Sequence, residues 1–303
     1  MNNVITWQQY LSEFNRAVGW RIYQMSPSLF TSHHVKNGRR VTSRPTPIGC
    51  SVLLRFEQRH FLVTAAHIFK RFHYDAIGLF YETKMHYLEG RFQLSNSTLD
   101  EADKVDIAII ELTDMFVKKL PDFFQFFDLN TFNLDHSDQV GMTYLLVGSP
   151  LSRYKLKLDI QKVVNEPFIF RTSRVDHPST FPKLGVQKST HLLVEYTRKR
   201  VRKSNDGTYI TGPALNGMSG SGIWITPSFV SQNNFSDIKF YPTGILIEYH
   251  SEHCCVVSTR LRVVTEILKQ CFNVPISKSK LLDLNFITNQ IPSSSLPLRS
   301  SQL

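Results

Sequence analysis

The hydrophobic pattern changes twice along the chain. In the first segment Trp7, Tyr10, Leu11, Phe14 and Val18 recur at helical spacing, which predicts a short helix with one apolar face. A basic stretch punctuated by Gly and Pro follows, "KNGRRVTSRPTP" at residues 36–47, and reads as an exposed linker. From Ile48 the period shortens. The runs "IGCSVLLRF", "HFLVTAA", "AIGLFYE", "GRFQLS" and "VDIAIIEL" are apolar or alternating, with turn residues such as Gly90 and Asn96 between them, and they read as closely spaced strands.

A second strand set begins near Gly141 with "MTYLLVGSP" and continues through "HLLVEYTRKRVRK", "TYITGPA", "SGIWITP" and "YPTGILIEYH". The Asp-Gly of "SNDGTY" predicts a hairpin turn within it. The last run, "CCVVSTRLRVVTEILKQ", starts as a strand and becomes a helix, since Leu261, Val264, Ile267 and Leu268 share a helical face. The expected organisation is an N-terminal helix and linker (1–47), a first β unit (48–140), a second β unit with its closing helix (141–274) and a mobile tail (275–303).

Composition narrows the class without naming it. Of 303 residues 42% are hydrophobic and 20% charged, with 22 Phe and 11 Tyr, which excludes a largely disordered chain. A formal charge of +10 attracts phosphates, acidic proteins or anionic surfaces without choosing among them. Cys50, Cys254, Cys255 and Cys271 lack metal-ligand spacing and read as small thiols in a reducing compartment. The N-terminus carries no secretory pattern and no apolar run reaches the ~20 residues that span a bilayer, so the expectation is a cytoplasmic protein with no membrane partner.

Attack on an acyl carbon needs a nucleophile, a base, a group that orients the base, and donors for the developing oxyanion. In "NGMSGSGIWI" Ser219 lies between Gly217 and Gly220, whose freedom at positive φ allows a turn that exposes the hydroxyl and aims the backbone N–H groups of Gly217 and Ser219 at one point. His67 follows a strand and two alanines. Asp106 opens an apolar strand, from which its carboxylate can orient the imidazole.

With Thr64-Ala65-Ala66-His67, Asp106-Ile107-Ala108 and Gly217-Met218-Ser219-Gly220-Ser221 in that order, the chain resembles the chymotrypsin/trypsin-like serine peptidases from about Ile48 to Gln270. "LLVGSP" is similar to the strand and turn that open the second barrel in bacterial members. The resemblance implies an all-β fold of two antiparallel six-stranded β-barrels with a C-terminal helix, here preceded by a short N-terminal helix. It implies catalysis by His67, Asp106 and Ser219, with an oxyanion hole from the N–H groups of Gly217 and Ser219. "GILIEY" is similar to the edge strand that pairs with substrate, so Pro213, Ile247, Glu248 and Tyr249 are the expected substrate-binding positions. The substrate would be a protein or peptide, with neither metal nor cofactor.

The chain departs from the family in three places. Ile68 stands where secreted animal members follow the histidine with a disulfide cysteine. Met218 replaces the aspartate that pairs with a freshly cut N-terminus, so the site is either competent as made or ordered by a regulatory partner or ligand. Pro213 falls near the aspartate by which trypsins select Arg and Lys, which leaves Glu248, were it to point inward, as the source of charge.

Other readings compete. Ser219 alone fits an ordinary glycine turn. His67 alone fits a satisfied core histidine, Asp106 alone a structural carboxylate, and Ser221 is a second nucleophile within the same motif. The run "RKRVRK" (198–203) suits nucleic acid, although no aromatic pattern interleaves it and a solvated hairpin explains it. "HSEHCC" invites a metal that its diverging side chains would not hold. A peptidase-fold module that binds a partner without turnover is the alternative outside catalysis.

Overall fold

The structure, a computed structural model, describes residues 6–37, 40–72, 74–95, 105–131, 142–157, 162–175, 177–203, 206–227, 235–277, 279–280, 282 and 296–297. These residues are mostly β-strand, with short helices. None of the helices is long and apolar enough to cross a membrane.

The N-terminal segment opens with α1 (Trp7–Phe14), capped reciprocally by Thr6 and Gln9: Thr6 Oγ1 accepts from Gln9 N at 3.2 Å and Gln9 Oε1 from Thr6 N at 2.8 Å. It passes through a π-helical turn (Asn15–Gly19) into α2 (Trp20–Gln24), six residues beyond the last position of the expected apolar face. The wider turn keeps positions four apart in line, so Tyr10, Phe14, Val18 and Ile22 are all buried on one side.

Nine strands follow in the first half: β1 (Ser28–Asn37), β2 (Arg40–Cys50), β3 (Val52–Phe56), β4 (Arg59–Thr64), β5 (Ile77–Tyr81), β6 (Lys84–Tyr87), β7 (Gly90–Leu94), β8 (Ala108–Leu112) and β9 (Phe127–Asp128). The second half carries β10 (Met142–Gly148), β11 (Tyr154–Lys157), β12 (Lys162–Asn165), β13 (Phe168–Thr172), β14 (His191–Glu195), β15 (Val201–Arg202), β16 (Tyr209–Ile210), β17 (Gly222–Pro227), β18 (Tyr241–His250) and β19 (Cys255–Arg260), with β20 (Leu296–Pro297) near the C-terminus. A four-stranded sheet runs β2-β1-β5-β6, a six-stranded sheet β20-β7-β8-β4-β3-β9, and a second six-stranded sheet β13-β10-β17-β18-β19-β14.

The linker expected at residues 36–47 is instead part of a long hairpin, in which β1 pairs with β2 from Ser28↔Cys50 out to Asn37↔Arg40. Its prolines misled the reading. Pro45 and Pro47 are tolerated because β2 is an edge strand, where a missing N–H breaks no second ladder. The first-half sheets join where Ser51 N donates to Pro27 O and Leu53 N to Met25 O, both at 2.9 Å. In the second half the chain just past β13 returns to β14: Arg174 bridges Val194, Glu195 N donates to Ser173 O and Val175 N to Leu193 O.

The continuous apolar runs arise because the central strands are buried on both faces. Val52, Leu54, Phe61, Val63, Ile107 and Ile109 enter one core with the N-terminal helices, while Leu53, Leu62, Ala108 and Ile110 enter another. Likewise Leu145 and Trp224 face the first core, whereas Leu146, Ile223 and Ile225 face a third inside the second-half sheet. The predicted C-terminal helix is present at Leu261–Phe272 and buries Leu261, Val264, Ile267 and Leu268; Asn273, at φ 54°, ends it in the left-handed conformation. Most of the expected mobile tail lies outside the described residues. Its described part is packed, with Ile276 and Leu282 in the first core and β20 paired to β7.

Phe14, fully buried, meets Phe235 edge-on and lies beneath the Arg171 guanidinium, 4.7 Å from its ring centroid. Phe14→Ala should destabilise the protein by about 3–5 kcal/mol, read as a lower midpoint in urea denaturation.

Candidate active site

The register of β4 and β8 brings histidine and aspartate together. Thr64 pairs with Ala108, and continuing that antiparallel count two residues further sets Ala66 against Asp106, where Ala66 N donates to Asp106 O at 3.3 Å. A short helix, α3 (Ala66–Arg71), starts there, and the buried Ala65 and Ala66 leave room for the crossing. Asp106 then grips His67 twice: Oδ1 accepts from the His67 backbone N at 2.8 Å and Oδ2 lies 2.5 Å from Nδ1. Because a carboxylate only accepts, the Nδ1 position carries a proton, and in the neutral ring the lone pair is on Nε2. The Asp106 side chain is 14% exposed and that of His67 44%, so the carboxylate is sheltered while the imidazole faces out.

Ser219 lies in a turn whose amides fall into two classes. Met218 N donates to Leu215 O at 2.9 Å, Gly220 N to Leu246 O at 2.7 Å and Ser221 N to Met218 O at 2.9 Å. Among the described residues the N–H groups of Gly217 and Ser219 have no acceptor. Their direction is nevertheless set. The Asn216 carbonyl accepts from Leu151 N at 2.8 Å and the Met218 carbonyl from Ser221 N, and in a planar trans peptide the N–H points opposite to its carbonyl. Gly217 at φ 82° and Gly220 at φ 86° supply the left-handed backbone that this path requires.

The turn is anchored to the histidine side of the molecule through Cys50. Cys50 N donates to Ser219 O at 2.7 Å, and the Cys50 carbonyl accepts from Thr64 Oγ1 at 2.6 Å, three residues before His67. The fully buried Cys50 thiol donates to Gly217 O at 3.3 Å, and burial pushes its pKa up, which keeps it protonated. No hydrogen bond joins Ser219 Oγ to His67. Unliganded catalytic sites often show that geometry. Ser221, the competing nucleophile, is fully buried with its hydroxyl 3.9 Å from Met218 Sδ.

The expected substrate-binding residues separate. β17 pairs with β18 as far as Ile245, Leu246 then bonds Gly220 and Ser221, and among the described residues positions 247–249 have β19 on one side and no strand on the other. At the bulge between Leu246 and Glu248, Ile247 turns into the core shared by the two halves rather than outward. Glu248 is exposed and lies 3.0 Å from His250 Nε2, so it does not point inward as the charged-pocket expectation required. Tyr249 packs edge-on against Tyr196, whose hydroxyl donates to Pro213 O at 2.6 Å. In "HSEHCC" Cys255 is buried, Cys254 exposed, and among the described residues no group of three or more His, Cys, Asp or Glu side chains could hold a metal ion.

Sequence reasoning passed over Cys50, Thr64 and Leu151 as positioners of this turn. Gly49, an isolated glycine within a strand, was the available signal of a close backbone approach. A Cβ there would sit 2.4 Å from Ile68 Cδ1 and 3.1 Å from Ser219 O.

No family model and no curated protein matches the chain. Among solved structures it is similar to one described as "Aromatic interactions drive the coupled folding and binding of the intrinsically disordered Sesbania mosaic virus VPg protein", at 14% identity and TM-score 0.40 over 80% of this chain and 89% of the other. It is also similar to "HtrA-type protease AlgW with decapeptide", at 10% identity and TM-score 0.45 over 87% of this chain and 67% of the other.

A Cβ on Gly220 would lie 2.0 Å from the Cys50 carbonyl oxygen and 2.1 Å from Thr64 Oγ1, at a backbone angle that a side chain resists. Gly220→Ala should therefore cost at least about 2 kcal/mol in urea denaturation.

Proposed function

We propose that the chain is a trypsin-like serine endopeptidase whose catalytic groups are Ser219, His67 and Asp106. The observation that carries this reading is the double grip of Asp106 on His67, which orients the imidazole through Nδ1 and leaves Nε2 available to a nucleophile.

In the mechanism, Nε2 of His67 takes the proton as Ser219 Oγ attacks the scissile carbonyl. Asp106 holds the imidazole and stabilises the imidazolium. The N–H groups of Gly217 and Ser219, directed by their fixed peptide carbonyls, receive the oxyanion. His67 then protonates the leaving amine, and water repeats the cycle on the acyl-enzyme. The open side of residues 247–249 suits a substrate backbone that adds as a strand. With Pro213 in place of an acidic selector and Glu248 turned toward His250, neither position supplies a charge that would select Arg or Lys.

The fold that accompanies this reading is two antiparallel β-barrels. The return of residues 173–175 to β14 supports closure of the second, and the junction of residues 25–27 with β3 supports the first. Four free cysteines fit a reducing compartment such as the cytoplasm.

Ser219→Ala and His67→Ala should each abolish labelling by a fluorophosphonate probe and hydrolysis of an unstructured protein substrate, with urea midpoints near wild type. Asp106→Asn should lower the rate by about four orders of magnitude, as loss of the orienting carboxylate does in comparable triads. Undiminished hydrolysis by the Ser219→Ala chain would refute the assignment.

A further inference from the structure

One cavity among the described residues is lined by neither His67 nor Ser219. It is a cavity of about 740 Å³ between α1, β13 and the β15–β16 hairpin. Arg153, Arg171, Arg200 and Lys203 line it, and among the described residues no Asp or Glu does. An adjoining cavity of about 360 Å³ includes Glu195, but that carboxylate accepts from Ser173 Oγ at 2.8 Å. Arg200 and Lys203 are exposed and make no salt bridge among the described residues.

The rest of the lining is apolar and aromatic. Phe168 is buried and stacks parallel to Phe170 with centroids 5.8 Å apart, while Tyr209 stands 68% exposed at the mouth. Four cations call for a ligand with several negative charges, and the exposed Tyr209 ring with the half-buried Phe170 calls for a planar body. Gln8 Nε2 reaches Asp206 O at 3.4 Å, so α1 touches the hairpin tip across the opening. A cavity so bounded, within the range of small-molecule sites, suits a mononucleotide better than a nucleic-acid strand, which needs an open track.

A single short segment links this cavity to the serine turn. Arg153 donates to Pro167 O at 2.8 Å and lies over the Phe168 ring, 5.1 Å from its centroid. It ends the short 3₁₀ turn Leu151–Arg153, whose first residue holds the Asn216 carbonyl. The Leu151 side chain fills the space beside Gly217, where a Cβ would meet Cγ at 2.7 Å. One three-residue turn thus has a cavity wall at one end and the Asn216–Gly217 peptide at the other.

We infer that this cavity binds a nucleotide and that its occupancy, transmitted through Leu151–Arg153, regulates the serine turn; the regulatory half rests on the peptidase reading. It fills the place left by Met218, which rules out activation by an ion pair with a new N-terminus.

The test has two arms. In the first, the four ribonucleoside triphosphates, tripolyphosphate, the nucleosides and a 12-nucleotide single strand are titrated calorimetrically into the full-length Ser219→Ala chain. At least one triphosphate should bind about tenfold or more tighter than both tripolyphosphate and its nucleoside, and the paired substitution Arg200→Ala with Lys203→Ala should weaken it by a similar factor. Binding of no triphosphate beyond tripolyphosphate, tighter binding of the strand, or indifference to the paired substitution would overturn the site. In the second arm, the bound nucleotide should change the rate of fluorophosphonate labelling of the wild type about threefold or more, and this change should vanish in the paired variant. Labelling that ignores a nucleotide known to bind overturns the regulatory link. Absence of labelling under every condition, with the titrations intact, overturns the peptidase reading and leaves the site standing.

Discussion

Because both faces of the central strands are buried, the register between β4 and β8 has no freedom to slip. A shift of one residue would exchange Phe61 and Val63 with Leu62, and Ile109 with Ala108 and Ile110, between two differently shaped cores. The candidate site depends on this constraint. The Thr64↔Ala108 pairing that sorts the apolar side chains also sets Asp106 opposite Ala66, and only from there can one carboxylate reach both the backbone and the ring of His67.

The serine turn depends on different parts of the chain. Its carbonyls are held by Leu151 from the β10–β11 connection, by Cys50 from the end of β2 and by Ser221 from the turn itself, while the carbonyl of Leu246 in β18 accepts from Gly220. Among the described residues the amides of Gly217 and Ser219 have no acceptor, and both point away from fixed carbonyls. The proposed oxyanion site would thus be preorganised by the fold, with the buried Met218 contributing packing.

Much of this was legible from side-chain chemistry. The β class, the closing helix, the Asp206-Gly207 hairpin and the expected order of His67, Asp106 and Ser219 follow from local patterns. The hairpin over residues 36–47 was hidden because Gly and Pro signal breaks regardless of context, and only sheet position shows that an edge strand accepts proline. The orientation of Ile247 and Glu248 was not legible because it is set by a bulge in the strand, a feature with no signature in strict alternation. The cavity beside α1 was invisible for a related reason: its cations come from residues 153, 171, 200 and 203, which only folding gathers.

By itself, then, the sequence determined the β-rich class and the helical segments near each end, and which side chains could serve as nucleophile, base and orienting carboxylate. Such properties are local, set by spacing and by each residue's own chemistry. Only the tertiary structure decided that Asp106 meets His67, that Ser221 is sealed while Ser219 is partly open, that Glu248 turns away, and that two particular amides stay unbonded. These outcomes rest on register, bulges and contacts between residues far apart in the chain, where the cost of a misplaced group is settled by its neighbours in space.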